Sequence, residues 1–379
     1  MSLSVCLLTR DEAHNLPRAL DSVVGLAEEV IVADTGSRDA TVRVARDLGA
    51  RVIEHDWQDD FARGRDHALT QASGDWILWL NPDEELLAAS RDVVRQCMAN
   101  PQAFAFYGLI EQVERADQQK DFVAVTNARL FRKHADLHSV GRLHPRFEPS
   151  LEMLAARQGL MVFPAAVVIR RYAYLSPLTE DKLRWATRLL EKELADRPGQ
   201  LHYLIEYGQT LLLLHEPRGH DVLAQAIEMV RKSAAASQPE VSTIQKLLDY
   251  VLTAEPAAYR GSMNKDEARS LALRWFPESP PLLWRMAEHA FVTKDYLPAS
   301  DLLKRLVKLG RTGGYDHSQA FDPAIIGELA QLNLGVCLTR LGNYEQAERC
   351  LLPLLGHPRV GDQAGRSLAA AQILRAKKK

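Results

Sequence analysis

The feature that most constrains this chain is a change of grammar about 175 residues from its start. Before that point, four short apolar runs, Ser4–Leu8, Glu29–Ala33, Ala50–Glu54 and Trp76–Leu80, alternate with amphipathic stretches at Leu16–Val24, Thr41–Leu48 and Phe61–Ala72. The runs are strand-length and rich in β-branched and aromatic residues. Runs that are apolar throughout, instead of at every second position, belong to strands buried on both faces, as in a parallel sheet covered by crossover helices. Pro17 suits a first helical turn with Asn15 as its N-cap. Further on, Phe104–Val113 and Phe122–Arg132 read as an antiparallel pair joined by the charged stretch Glu114–Asp121, and Leu160–Arg170 adds a last strand around Pro164. The prediction is an α/β domain with a mixed, mostly parallel sheet over residues 1–176.

Over residues 177–379 strand signals give way to helix. Leu178–Asp196 is amphipathic and stops before Pro198-Gly199, and further helices are predicted from Leu201, Val222, Val241, Lys265, Pro281, Ala299, Glu328 and Tyr344. Ala287, Tyr296, Ala299, Leu303 and Leu306 recur 48 positions later as Gly335, Tyr344, Ala347, Leu351 and Leu354. A small residue, an aromatic, an alanine and a large apolar residue in that order form the packing signature of a tetratricopeptide helix pair. The usual period is about 34 residues, so the excess reads as an insertion, Gly310–Asp322. Gly208 with Leu204 and Leu211 marks an earlier unit. An all-α repeat domain is expected, with a surface for partners.

Bulk properties exclude several classes. With 47 Lys and Arg against 49 Asp and Glu, the net charge of −2 argues against a nucleic-acid binder. Cys6, Cys97, Cys337 and Cys350 show no metal-ligand spacing; three of them read as buried and none as part of a disulfide framework. The first nine residues lack a cationic leader and no stretch approaches the ~18 apolar residues of a membrane span, so a cytoplasmic protein is expected.

In an open parallel sheet, ligands bind beyond the carboxyl ends of the strands. Those ends are acidic here: Asp11-Glu12, Asp34 with Asp39, Asp56 with Asp59-Asp60, and Asp83-Glu84-Glu85. Crowded carboxylates need a cation or a basic side chain beside them. Neither GxGxxG nor GxxxxGK[ST] occurs, so a phosphate would be met by arginine and metal instead of a glycine cradle. The same residues have structural readings as well. Asp39 and Thr41 suit the start of the second helix, Asp59 and Asp60 the cap of the third, Glu84 and Glu85 a helix first turn, and Trp76 and Trp79 the core.

Leu8-Thr9-Arg10-Asp11-Glu12 with Asn15-Leu16, then Val32-Ala33-Asp34-Thr35-Gly36-Ser37, resemble the start of a family 2 glycosyltransferase of GT-A fold. Trp57-x-Asp59-Asp60-Phe61-x-x-x-Arg65, Gly74-Asp75-Trp76-Ile77-Leu78 through Asp83-Glu84-Glu85, Asn127-x-Arg129-Leu130-Phe131-Arg132 and Gly141-Arg142-x-His144 resemble a branch that includes sublancin-type S-glycosyltransferases, whose members often carry tetratricopeptide helices. The resemblance covers residues 1 to about 195. It implies that Thr9, Arg10 and Asp34 bind the nucleotide, that Arg65 faces the diphosphate, and that Asp83 touches a divalent metal, Mn²⁺ or Mg²⁺.

Three positions depart from that pattern. Asn81 replaces the first acid of the Asp-x-Asp motif, Pro145 stands where a Glu is usual, and Arg171 stands where a His is usual. Without a Glu at 145, the general-base candidates are Glu148 and His144. A transfer assisted by the divalent metal stays the leading expectation; the alternatives are that Arg170 or Arg171 replaces the cation as diphosphate counter-charge, or that the domain is degenerate. The expected function is an inverting transfer of sugar from a nucleotide-sugar, a UDP-sugar by resemblance, to a protein, peptide or glycan acceptor. The helical domain would serve the acceptor or a homodimer. The competing reading is a catalytically degenerate GT-A-like domain acting with its repeats as a scaffold. A nucleotidyltransferase is disfavoured by the missing glycine-rich loop.

Overall fold

A computed structural model describes residues 1–113, 122–172, 179–234, 243–315, 319 and 321–378. The connector Glu114–Asp121, the Ala173–Tyr174 segment, the helix starts predicted at Leu178 and Val241, and part of the Gly310–Asp322 insertion lie outside them. The chain divides into two compact units, Met1–Tyr203 and Leu204–Lys379. The helix that follows residue 179 therefore packs with the first unit, whereas the change of sequence grammar placed the division at 176/177.

The first unit contains β1 (Leu3–Thr9), α1 (Leu16–Asp21), β2 (Glu29–Asp34), α2 (Thr41–Asp47), β3 (Arg51–Glu54), α3 (Phe61–Gln71) and β4 (Trp76–Trp79). It continues with β5 (Glu84–Leu86), α4 (Ser90–Met98), β6 (Ala103–Val113), β7 (Phe122–Arg132), β8 (His138–Val140), β9 (Arg146–Glu148), α5 (Leu151–Arg157), β10 (Met161–Arg171) and α6 (Glu180–Asp196). Eight strands form one sheet in the order β3-β2-β1-β4-β7-β6-β10-β5, and β8 pairs with β9 separately. Six of the eight strands run one way; β7 and β5 run against them. The mixed, mostly parallel sheet expected from the apolar runs is present, and β6 and β7 form the expected antiparallel pair.

Burial on both faces explains why the strands are apolar throughout. Leu3, Val5 and Leu7 of β1 pack on one face with Leu16, Leu20, Val94 and Cys97 from α1 and α4. Cys6 points the other way, toward Ala68, Leu69, Leu151 and Leu154 from α3 and α5. Trp76 and Trp79 are buried, as expected of core residues. Cys6, Cys97 and Cys337 are buried, Cys350 is half-buried, and all four are free thiols.

Three local expectations change. Asn15 makes no capping bond to α1; its amide donates to Glu12 Oε2 at 2.9 Å. Asp60 caps α3 by accepting from Arg63 N at 3.1 Å, while Asp59 takes up a left-handed conformation (φ 55°) and accepts from Lys192 Nζ at 2.5 Å. Glu84 and Glu85 open no helix. They belong to β5, which pairs antiparallel with the end of β10.

The second unit is helical, with α7 (Leu201–Leu213) opening just before it. Then come α8 (Arg218–Ala234), α9 (Ile244–Thr253), α10 (Lys265–Trp275), α11 (Pro280–Val292), α12 (Tyr296–Thr312), α13 (Glu328–Arg340), α14 (Tyr344–Leu351) and α15 (Gly361–Lys378). The residues of the 48-position repeat behave as their pattern requires: Ala287, Ala299, Leu303, Leu306, Ala347, Leu351 and Leu354 are all buried. Gly335 on α13 lies so close to α14 that an added Cβ would sit 2.6 Å from Leu351 Cδ2. Gly208 on α7 stands in the same relation to Leu223 of α8, with its Cγ at 2.7 Å. A glycine and a leucine fifteen or sixteen positions on thus clasp two separate helix pairs. Among the described residues no helix is long and apolar enough to cross a membrane.

Candidate functional site

Because six strands share a direction, the ends of β1, β2, β4, β6 and β10 fall on one edge of the sheet. The loops there are fastened to each other by carboxylates. Asp34 Oδ2 accepts from the backbone N–H groups of Gly36 (3.0 Å) and Ser37 (2.9 Å), and its Oδ1 accepts from Ser37 Oγ (2.5 Å). Thr9 Oγ1 lies 3.5 Å from Asp34 Oδ1, and both residues are buried. Gly36 adopts φ 92°, a conformation that a residue with a Cβ rarely takes, which lets the chain turn under the carboxylate. Asp11 Oδ1 accepts from Arg38 N at 2.7 Å. Asp39 Oδ2 accepts from Ala13 N at 3.1 Å, and its Oδ1 holds the N–H and hydroxyl of Thr41, the first residue of α2. Asp39 therefore ties the loop after β2 to the loop after β1, a larger task than starting a helix.

The second cluster lies beyond β4. Glu84 is fully buried and its Oε1 accepts from Arg129 Nη2 at 2.7 Å. The same carboxylate accepts from Asn81 N (2.8 Å) and Asn81 Nδ2 (2.9 Å), and Asn81 Oδ1 accepts from the Trp79 indole at 3.4 Å. Asp83 Oδ2 accepts from Arg171 Nε at 3.1 Å. Beside this pair, Arg170 donates to Glu111 Oε2 at 2.8 Å and the Tyr172 hydroxyl to Glu85 Oε2 at 2.7 Å. Burial first, then the charges of Asp83 and Asp39, push the Glu12 carboxyl above its ordinary range. Glu84 and Arg129 carry the corner; the sequence offered Glu84 as a charge in a helix first turn and Arg129 as a motif member with no role of its own. For Arg129 the signal was a charged residue between Ala128 and Leu130-Phe131; Glu84 lies in the acidic run Asp83-Glu84-Glu85 and carried no such signal.

The remaining predicted residues are dispersed. The Arg65 guanidinium lies between the rings of Phe147 (4.0 Å) and Trp79 (4.8 Å), with Nε buried and unbonded. Desolvation, with Arg129 nearby, pushes its pKa down to about 9. Arg10 is exposed at the end of β1. Glu148 ends β9 opposite His138 and is exposed, with no side-chain hydrogen bond or ion pair among the described residues. His144 is exposed in a left-handed conformation, φ 49°.

The cation expected on Asp83 can be tested against these donors. Asp83 is engaged by a guanidinium, Asn81 uses both ends of its amide, and Glu84 is taken up by Arg129 and Asn81. Among the described residues no group of three His, Cys, Asp or Glu side chains is placed to hold a metal ion. A hard cation needs about six oxygen ligands. As they stand, these residues do not fit a resident Mn²⁺ or Mg²⁺.

Residues 4–136 match the family model described as glycosyl transferase family 2. The first unit carries a family 2 glycosyltransferase domain. A TPR repeat-containing protein of Synechococcus elongatus is 34% identical over 218 residues, 55% of this chain and 52% of its own length. A glycosyltransferase of Rickettsia bellii, itself uncharacterized, is 37% identical over 98 residues, 26% of this chain and 33% of its own. The chain thus spans about half or less of these relatives. Among solved structures, S. aureus TarS 1-349 is similar with 14% identity and a TM-score of 0.36, covering 85% of this chain and 96% of that one. Within the glycosyltransferase domain, Thr9, Asp34, Arg65 and Asp83 lie inside the matched span, and His144, Glu148 and Arg171 lie beyond it.

Proposed function

We propose that this chain is a glycosyltransferase that moves a sugar from a nucleotide-sugar, a UDP-sugar, to a hydroxyl or thiol of a protein, peptide or glycan. The observation that supports this most is the coincidence of the family 2 span with the preorganised loop of Thr9 and Asp34 at the carboxyl edge of the sheet. Asp34 is already oriented by three local donors; Oδ2 spends both lone pairs on the N–H groups of Gly36 and Ser37, which leaves Oδ1, with one short bond to Ser37 Oγ, to meet a base edge. Arg65 carries a desolvated charge that gains from an approaching phosphate. The acceptor oxygen or sulfur displaces the nucleoside diphosphate from the anomeric carbon with inversion. Glu148, or His144 if Glu148 lies out of reach, takes the acceptor proton. The tetratricopeptide-like pairs of the second unit supply the surface for a protein or peptide acceptor, or for a second copy of the chain.

Calorimetric titration with UDP, GDP, CDP and dTDP tests this reading. UDP is expected to bind and the others to bind more weakly, and Asp34→Ala to remove the preference. Binding of none of the four would overturn the reading in favour of a degenerate domain that acts as a scaffold.

A further inference from the structure

We infer that Gln112 is the residue with which this protein reads the transferred sugar, its side-chain amide meeting a hydroxyl of the sugar on the nucleotide-sugar donor. The inference rests on the nucleotide-sugar reading above and names the substrate group that one part of that site selects.

Gln112 is the last residue but one of β6. Strand pairing sets Glu84 of β5 opposite Arg171 of β10, and Arg171 opposite Gln112, so the three form one row across three strands. Two positions down each strand the corresponding row is Leu86, Ile169 and Ile110, all buried in the core that α1 and α4 cover. Residues two apart on a strand share a face, so the Gln112 row is where that core gives way to the carboxyl edge. Its other two members have partners. Glu84 accepts from Arg129 and Asn81, and Arg171 donates to Asp83. Gln112 differs from both. It is only 8% exposed, and its Oε1 is buried with no hydrogen-bond partner.

A buried acceptor left unpaired costs the fold free energy that a leucine at the same place would not. The group it lacks must be a donor, since an amide oxygen only accepts. The charges of Glu84 and Asp83 are each met by an arginine already, so a neutral donor fits beside them and an ion would upset the balance. A hydroxyl is that kind of group, and the soft terminal torsion of a glutamine lets the amide turn to meet it. Position then selects the sugar. In the sheet order, β2 and β6 stand four strand spacings apart, ~19 Å. A base held at Asp34 therefore does not itself reach Gln112, and the part of the donor beyond its diphosphate is the sugar.

The test is calorimetric titration of the full chain with UDP, UDP-glucose, UDP-galactose and UDP-N-acetylglucosamine. The wild type is expected to bind one of the three sugar nucleotides at least about tenfold more tightly than another, because a sugar that turns its hydroxyl away leaves the amide unpaired. Gln112→Leu is expected to bring the three within about threefold of one another and to leave the UDP constant within about twofold of wild type. In urea the same variant is expected to unfold at the wild-type midpoint or above it, since it removes an orphaned acceptor. A smaller wild-type spread would overturn the inference and leave the nucleotide-sugar reading intact, and so would a wider spread surviving in Gln112→Leu. A UDP constant shifted further than stated would put Gln112 on the nucleotide and refute the assignment to the sugar. A lowered midpoint, or a variant that does not fold, would show that the amide serves the fold and would refute it equally. Binding of neither UDP nor any of the three sugar nucleotides would remove the reading beneath it.

Discussion

The Asp34 loop and the Asp83 corner are both acidic, lie at the same edge of one sheet, and are built in opposite ways. Asp34 is satisfied by donors two and three positions away, so its geometry is a property of a short peptide that any correct β2 would carry. Glu84 takes two bonds from Asn81, three positions away, but its charge is met by an arginine 45 positions away, and that of Asp83 by one 88 positions away. The first site is local chemistry on a scaffold; the second exists only because the whole sheet has closed. Binding geometry that depends on local turns tolerates change elsewhere, whereas the corner registers any disturbance of β7 or β10.

Three measurements bear on that difference. Glu84→Ala strands the Arg129 guanidinium in a buried site and is expected to cost about 3–5 kcal/mol of unfolding free energy, read from the urea midpoint. A loss below about 1 kcal/mol would mean that long-range pairing does not hold the corner. Asp34→Ala removes three local hydrogen bonds and leaves no buried charge behind, and about 1–3 kcal/mol is expected in the same assay. A loss equal to that of Glu84→Ala would erase the distinction between the two sites. The smallest effect concerns Glu12. Its carboxyl titrates above the ordinary value of 4.5 in the folded chain, so the folded state holds its proton more tightly than the unfolded state. Stability from this group is therefore full below pH 4.5 and is lost as pH rises through the elevated folded value. Glu12→Gln is expected to flatten that decline, seen as midpoints that fall less between pH 4.5 and 7. An unchanged pH profile would place the strain of the acidic edge elsewhere.

The same contrast explains what could be read from sequence. Phe122–Arg132 forms a strand with the predicted bounds, its β-branched and aromatic residues (Phe122, Val123, Val125, Thr126 and Phe131) spread along the segment. The clasp of Gly335 and Leu351 was legible because close helix packing demands a small residue at a fixed spacing. β5 was not legible. Glu-Glu-Leu has the charge pattern of a helix start, and only β10, some eighty residues on, makes it a strand. Asp39 misled in a milder way, since bonding to Thr41 was foreseeable while its bond to Ala13 across two loops was not. Asp34, Thr9 and Arg65 were found as candidates from their motifs, but the ring sandwich around Arg65 depends on Phe147 from a distant strand.

The pairing of β5 with β10 also sets a timetable for the newborn chain. At ~5–20 residues per second, the 88 positions from Asp83 to Arg171 take on the order of ten seconds to synthesise. During that interval the Asp34 turn can already form while Asp83 and Glu84 emerge from the ribosome as mutually repelling acids. Arg129 relieves Glu84 and Arg171 then relieves Asp83, so the corner is completed in the order in which its arginines are translated. A nascent chain stalled before β10 would carry Asp83 without its arginine, and β5 would have no partner strand until the last strand of the sheet had slotted in.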